Sequence, residues 1–206
     1  MRSSSAISPC EAPLRKNAHL GRRPHVFLTA LVSLLLGLCC AGQCLAQSDA
    51  LTVEYKVKAA YLYKMAGYVQ WPEQSLPNPE SPFVIGVLGA DRLVDELQAV
   101  VTGKTVGSHQ VMLRKLHRGD PPTGIHILFV GRAESMTVPA TLAALRGKPV
   151  LTVTEFEADF LAGSVINFVL VDDKVRFDIA PRQGELANLK ISARLLTVAR
   201  KIVGEP

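Results

Sequence analysis

The stretch Phe83–Val101, FVIGVLGADRLVDELQAVV, decides the fold class, because a buried strand is followed at once by a helix. Its first seven residues are apolar or glycine, which is typical of a strand that is covered on both faces. The apolar residues after Asp91 recur at helical spacing, and we expect Asp91 to be the N-cap of a helix that ends near Val101. A strand that leads directly into a helix favours an α/β fold.

The same alternation continues along the chain. Further strands are predicted at Ile125–Val130 and Val150–Val153, with a helix over Thr137–Leu145 between them that is closed by Gly147. Gly103–Leu116 has the pattern of an extended element. Strands that are separated by helices in this way predict a sheet with parallel neighbours.

The last third of the chain has a different order of elements. Phe156–Leu161 predicts a helical turn, and Val165–Val171 and Lys174–Ile179 predict a β-hairpin around two aspartates. Gln183–Val203 then carries leucines at helical spacing and predicts one C-terminal helix. The fold class is therefore a single-domain α/β sandwich with a mixed, mainly parallel sheet, helices on both faces and a hairpin before the C-terminal helix.

The segment Ala59–Pro72, AAYLYKMAGYVQWP, predicts an amphipathic helix at the start of the domain. Pro72 disfavours helical dihedrals at Trp71, so the helix should end at or before that residue. Six side chains form the predicted core stripe of this helix: Val57, Tyr61, Leu62, Met65, Tyr68 and Val69.

The N-terminal region has the three parts of a secretory signal peptide: basic residues, the apolar run Val26–Leu38 and small residues after it. We expect cleavage after Ala46, which gives a leader over residues 1–46 and a mature domain over 47–206. A single membrane-spanning anchor is the alternative, but the apolar run is short for it. The sequence therefore predicts a periplasmic protein that is exported by a cleaved signal peptide.

Removal of the leader changes the chemistry of the chain. All four cysteines lie in the leader, so the mature domain would have no disulfide and no thiolate ligand. The leader also carries five of the 23 basic residues and one of the 18 acidic residues, which leaves 18 and 17. A domain so close to neutral is not expected to bind nucleic acid.

No catalytic or metal-binding motif stands out in the sequence, and we predict no catalytic residue, no metal site and no cofactor. The glycines of Gly86–Gly89 lack the spacing of a nucleotide-binding loop and favour a turn before a helix. The histidines His109, His117 and His126 do not form a ligand pair. The acidic residues of Glu155–Asp159 suggest a hard-cation site, although a solvated face is favoured.

Two candidate binding surfaces remain. Lys174 and Arg176 are two residues apart on a predicted strand, so both side chains project from one face and could hold a carboxylate or phosphate. An edge strand that is protected by charge is the simpler interpretation. Lys64 and Trp71 flank the core stripe of the first helix and could contact a protein partner, with burial of Trp71 as the alternative.

The ordered set of segments resembles the YfiR family of small periplasmic proteins. The similarity begins at Tyr61–Pro72 and includes Phe83–Gly89, Gly103–Val106, His126–Val130, Pro149–Val153, Val175–Ile179 and Leu189–Leu196. Each segment is weak alone, and their order over nearly the whole mature chain carries the resemblance. The family's namesake has disulfides, which the mature domain here cannot form.

The resemblance implies a non-enzymatic regulator that binds and restrains a membrane-bound signalling protein. By analogy, the partner would be the periplasmic region of an inner-membrane diguanylate cyclase, and an outer-membrane lipoprotein would relieve the restraint. The protein would then lower cyclic-di-GMP output and biofilm formation. A homodimer is left open, and a periplasmic small-ligand protein that binds an anion through Lys174 and Arg176 is the alternative function.

Overall fold

The computed structural model describes residues 51–204, and the predicted leader with its cleavage site lies outside them. Six helices and ten strands are defined in this range. In chain order the elements are α1 (51–66), β1 (Val69–Gln70), β2 (Phe83–Leu88), α2 (Asp91–Val101), β3 (Thr105–Val106), β4 (His109–Leu116), β5 (Ile127–Val130), α3 (Val138–Leu145), β6 (Leu151–Thr154), α4 (Glu157–Leu161), β7 (Ile166–Val171), β8 (Lys174–Ile179), α5 (Pro181–Leu186), β9 (Lys190–Ile191), α6 (Ala193–Thr197) and β10 (Lys201–Ile202).

Eight strands form a curled mixed sheet in the order β10-β8-β7-β6-β5-β2-β4-β3. The central strands β4, β2, β5, β6 and β7 run parallel to one another. The antiparallel pairs are β7 with β8 and β3 with β4. This architecture confirms the predicted α/β class with a mainly parallel sheet and a hairpin before the last helix.

The sheet separates two apolar clusters, because successive residues of a strand face opposite sides. Ile85, Ile127 and Val153 belong to the larger cluster, which also contains buried side chains of α1 and α2. Leu128 and Val130 belong to the smaller one, which contains buried side chains of α3. Helices therefore cover both faces, and the central strands read as continuous apolar runs for that reason.

The start of α2 differs from the prediction in one detail. Ala90 is the N-cap residue, and Asp91 lies in the first turn, where its carboxylate pairs with Lys115 at 2.9 Å. The helix dipole favours a carboxylate in the first turn, so Asp91 does mark the start of α2. The predicted N-cap position was wrong by one residue.

The helix predicted over Ala59–Pro72 is shorter at its C-terminal end. It ends at residue 66, and Val69 lies in β1, where it pairs with Ile191 of β9. Val57 and Tyr68 were predicted in the core, but they are 36% and 40% exposed. The prediction of buried Leu62 and Met65 is confirmed. Tyr68 lies beyond the last helical residue, so the helical period does not apply to it, whereas Val57 lies on the outward side of the helix.

The single helix predicted over Gln183–Val203 is wrong. Asn188 has a φ of 56°, which ends helical geometry after α5, and the side chain of Ser192 caps the separate helix α6. The remainder of the predicted helix contains two short strands: β9, which pairs with β1, and β10, which pairs with β8. Leucine spacing alone could not reveal the break, because Leu186, Leu189, Leu195 and Leu196 recur at intervals that one long helix would also give.

β4 lies on one side of β2 and β5 lies on the other side, so the order of strands in the sheet changes side at β2. In many parallel sheets a ligand binds at such a point, beyond the carboxyl ends of the strands. Here that position is closed. The amide of Gly131 donates to the carbonyl of Leu88 at 2.8 Å, and the side chain of Glu134 packs against Gly89. The Glu134 side chain occupies the space beside Gly89 where a phosphate would lie, so Gly86–Leu88 serve as strand and Gly89, with a φ of 71°, serves as the turn before α2.

Gly131 is required here by space and not by its backbone angle. A Cβ on Gly131 would lie 2.4 Å from the carbonyl oxygen of Gly89, a backbone atom that cannot move aside easily. We predict that Gly131→Ala lowers the free energy of unfolding by about 2 kcal/mol, as overpacking of a tight site does. Chemical denaturation measures this. Gly67→Ala is the control, since its Cβ would meet its nearest atom at 3.6 Å; equal loss in both variants would contradict the steric argument.

Candidate partner-binding surfaces

The outer side of α1 displays apolar side chains that the core does not use. Val53 is 60% exposed and Val57 is 36% exposed, and the two lie one turn apart on the helix. Lys64, farther along α1, and Tyr68, just after it, are also exposed. Of these side chains, tyrosine is the type that is enriched at interfaces and among their hot spots, and the two valines add exposed apolar area.

Lys64 and Tyr68 line a shallow groove of about 390 Å³ between α1 and the turn of the β3–β4 hairpin. The opposite wall consists of Thr105, Val106 and Gly107. The hydroxyl of Tyr63 donates to the carbonyl of Thr105 at 3.2 Å and joins the two walls. We call this the α1 groove. Its walls are held together by contacts within the domain, so its shape exists before any partner binds.

Trp71 does not line the α1 groove. Its ring packs edge-on against Phe83 with the ring centroids 4.9 Å apart, and its indole Nε1 is buried without a hydrogen-bond partner. Phe83 in turn stacks on the imidazole of His126. The structure thus places the two candidates from the first helix in different surroundings, with Lys64 at the surface and Trp71 half-buried in an aromatic stack.

The imidazole of His126 has a structural position. The amide of Val84 donates to its Nδ1 at 3.0 Å, so Nε2 carries the proton and donates to the carbonyl of Ser75 at 3.0 Å. Burial lowers the pKa of His126, which keeps the ring neutral in this tautomer. His126 therefore joins the Glu73–Ser75 turn to the sheet. Among residues 51–204, no group of three or more His, Cys, Asp or Glu side chains is arranged to hold a metal ion.

Lys174 and Arg176 lie on the exposed face of β8, as the period of the strand predicts. The register adds a third cation, because Lys201 of β10 pairs with Asp178 and so points to the same face. Within residues 51–204, none of the three cations forms an ion pair. We call these three residues the basic face. Spacing along one strand could not identify Lys201, because β10 was predicted as helix.

Part of the basic face is also an edge of the sheet. β10 covers only Asp178 and Ile179, so the Lys174–Phe177 segment has no strand beside it on its outer side. Two cations on an uncovered strand discourage pairing with another chain. The carboxylate of Asp178 is bound by Arg200 through two nitrogens, so it does not pair with the three cations of the basic face.

A buried ionic cluster links α1 to the end of β6. The ammonium group of Lys58 is paired with the carboxylates of Glu54 and Glu155, and only 1% of Lys58 is exposed. Arg132 approaches both carboxylates, at 3.7 Å and 3.8 Å, and its amide donates to Glu155 at 2.9 Å. Two cations thus balance two anions. The four-residue spacing of Glu54 and Lys58 was the only sequence signal for this cluster.

The acidic residues near α4 are not the solvated face that was favoured from the sequence. Glu155 belongs to the ionic cluster, and Asp159 is only 5% exposed. One carboxylate oxygen of Asp159 is buried without a hydrogen-bond partner. Burial, with a smaller contribution from the nearby Glu155 charge, raises the pKa of Asp159. Only Glu157 of the three is exposed. The alternating positions of the three acidic residues could not show that the segment Glu155–Asp159 folds back over the sheet.

Comparison with protein families supplies the assignment that geometry alone does not. The model of the YfiR/HmsC-like family matches residues 55–200, which is most of the described chain. The chain belongs to the YfiR/HmsC-like family. The resemblance inferred from the ordered sequence segments is therefore confirmed. A comparison with curated proteins gave no significant match. The matched range includes the α1 groove, Lys174 and Arg176 of the basic face, and three members of the ionic cluster, Lys58, Arg132 and Glu155; Lys201 lies just outside it.

No helix within residues 51–204 is long and apolar enough to span a membrane.

The ionic cluster yields a prediction about stability. Lys58→Met keeps the length of the side chain but leaves two buried carboxylates without their closest cation, and we expect the free energy of unfolding to fall by about 3–5 kcal/mol. Urea denaturation at neutral pH measures the change. Lys56→Met, on the exposed side of the same helix, is the matched control and should change stability by less than about 0.5 kcal/mol. A loss of similar size in both variants would show that the cluster does not hold α1.

Proposed function

We propose that this protein is a periplasmic, non-enzymatic regulator that binds and restrains a membrane-bound signalling protein, a diguanylate cyclase. Membership of the YfiR/HmsC-like family carries the proposal, since the family is consistent with a periplasmic regulator of cyclic-di-GMP signalling. The predicted signal peptide supports the location. Regulation of this kind requires that the protein bind the inactive state of the cyclase more tightly than the active state.

We assign the contact with the cyclase to the α1 groove and the exposed valines beside it. Val53, Val57 and Tyr68 offer apolar area that the core leaves uncovered, and Lys64 adds a positive charge at the same surface. Such a combination supports an interface with an apolar centre and an acidic contact at its rim. The ionic cluster holds the buried side of α1 in place, so the α1 groove and the exposed valines face the solvent in one orientation.

A genetic experiment tests the proposed function. Deletion of the gene should raise cellular cyclic-di-GMP and biofilm formation, and the wild-type gene should restore both. We expect Lys64→Glu/Tyr68→Ala to fail to restore them, although the variant is exported and folded, because both side chains are exposed. Arg194→Glu/Val198→Ala changes an equally exposed pair outside the α1 groove and should restore both. Unchanged cyclic-di-GMP after deletion would refute the regulatory role.

A second candidate function, binding of a small anion, is favoured by the addition of Lys201 to Lys174 and Arg176. Three unpaired cations on one sheet face make a better anion site than two. If the face is a site, inorganic phosphate should raise the melting temperature at constant ionic strength, and Lys174→Ala/Arg176→Ala should abolish the rise. Lys56→Ala/Arg194→Ala is the control for general charge effects. Equal shifts in both double variants would exclude a specific site.

A further inference from the structure

A second groove lies on the opposite side of the sheet from α1, and the proposed regulatory contact does not use it. It has a volume of about 740 Å³ and lies between α3, the end of α4 and α5. Val150, Thr152 and Val165 form its floor. We call it the α3–α5 groove. Its exposed lining is about equally apolar and polar, and the apolar part includes Leu142, Leu161, Ala162, Leu186 and Ala187.

The rims of the α3–α5 groove carry two leucines that project into solvent. Leu161, the last residue of α4, is 76% exposed, and Leu186, the last residue of α5, is 61% exposed. Single exposed leucines are ordinary on protein surfaces, but two that line the same groove add apolar area that one occupant can cover. A molecule confined to the floor of the groove would leave both leucines in water. An occupant that covers them must rise above the rim.

The charge around the α3–α5 groove is positive. Arg146 is exposed and is the only charged residue that lines the groove. Lys148 and Arg182, which lie next to lining residues in the sequence, are also exposed, and within residues 51–204 none of the three forms an ion pair. Glu185 is the one exposed acid on α5. An occupant that complements this charge is therefore acidic.

We propose that the α3–α5 groove binds an amphipathic helix of a protein partner, with the helix's apolar side on the groove and an acidic side chain against Arg146. The eight residues of α3 extend for about 12 Å, which matches two turns of a docked helix and three or four of its apolar side chains. The groove is lined by helices, loops and Thr152 of β6, and β6 is paired on both sides with β5 and β7, so an extended peptide would find no free strand edge to pair with. A helix satisfies its own backbone and needs only side-chain contacts. This surface is separate from the α1 groove and does not depend on the proposed action on a cyclase.

Two synthetic helical peptides test the proposal against the full mature protein. Both have leucines at positions i, i+3, i+4 and i+7, and they differ only in their flanking residues, which are glutamate in one and lysine in the other. We expect the glutamate peptide to bind at least about tenfold more tightly in a fluorescence anisotropy titration, because the rim is basic. Its binding should shift the backbone amide NMR signals of residues 142–147, 161–163 and 183–187.

Charge reversal and loss of a rim leucine make the test specific. Arg146→Glu should reverse the preference between the two peptides, and Leu186→Ser should weaken both by about tenfold. Both residues are exposed, so an unchanged melting temperature will show that the variants are folded. Arg92→Glu on α2 and Leu170→Ser on β7 are exposed controls outside the groove and should leave binding unchanged.

Several results would overturn the proposal. Binding of neither peptide, equal binding of both, or amide shifts confined to residues that do not line the groove would each do so. The same holds if Leu186→Ser abolishes binding to phosphatidylglycerol vesicles, which would make the groove a membrane contact. A dimer that dissociates in Leu186→Ser, detected by sedimentation velocity, would show instead that the groove is covered by a second copy. None of these results bears on cyclic-di-GMP levels after deletion of the gene.

Discussion

The position of α1 depends on one buried lysine. Lys58 holds Glu54 on its own helix and Glu155 at the end of β6, so the helix is tied to the sheet by charge as well as by the apolar side chains beside it. A charge without a partner at this depth is very unfavourable, so alternative positions of the helix that separate the three groups are excluded. Apolar packing alone tolerates small rotations of a helix. The ionic cluster therefore fixes which residues of α1 face outward, and hence the surface that a partner meets.

The features that follow from local chemistry were predictable from the sequence. Continuous apolar runs gave the central strands, because parallel strands are covered on both faces. The adjacent Asp172 and Asp173 gave the β7–β8 turn, and both residues have the positive φ angles that such a turn requires. Lys174 and Arg176 were placed on one face by the period of the strand alone. These signals need only neighbours in the chain.

The features that depend on distant residues were not predictable in this way. The C-terminal segment breaks into short pieces because its strands pair with β1 and β8, which lie far away in the sequence. Glu155 and Asp159 are buried because α4 folds back over the sheet, and nothing in their own pattern reveals it. The α3–α5 groove arises from three elements that are separated in the chain. An ordered series of weak family segments did identify the family, since order along the chain contains information that no single motif has.

The short pairing of β1 with β9 affects when the domain can fold. These strands join residues that lie about 120 positions apart, and only α6 and β10 follow β9 among the described residues. Non-local pairings of this kind form slowly, because the intervening chain must first be ordered. The second sheet therefore cannot form until residue 191 has left the ribosome. Until that point Val69 and Gln70 lack their partner strand, so the segment after α1 is among the last parts of the domain to become ordered.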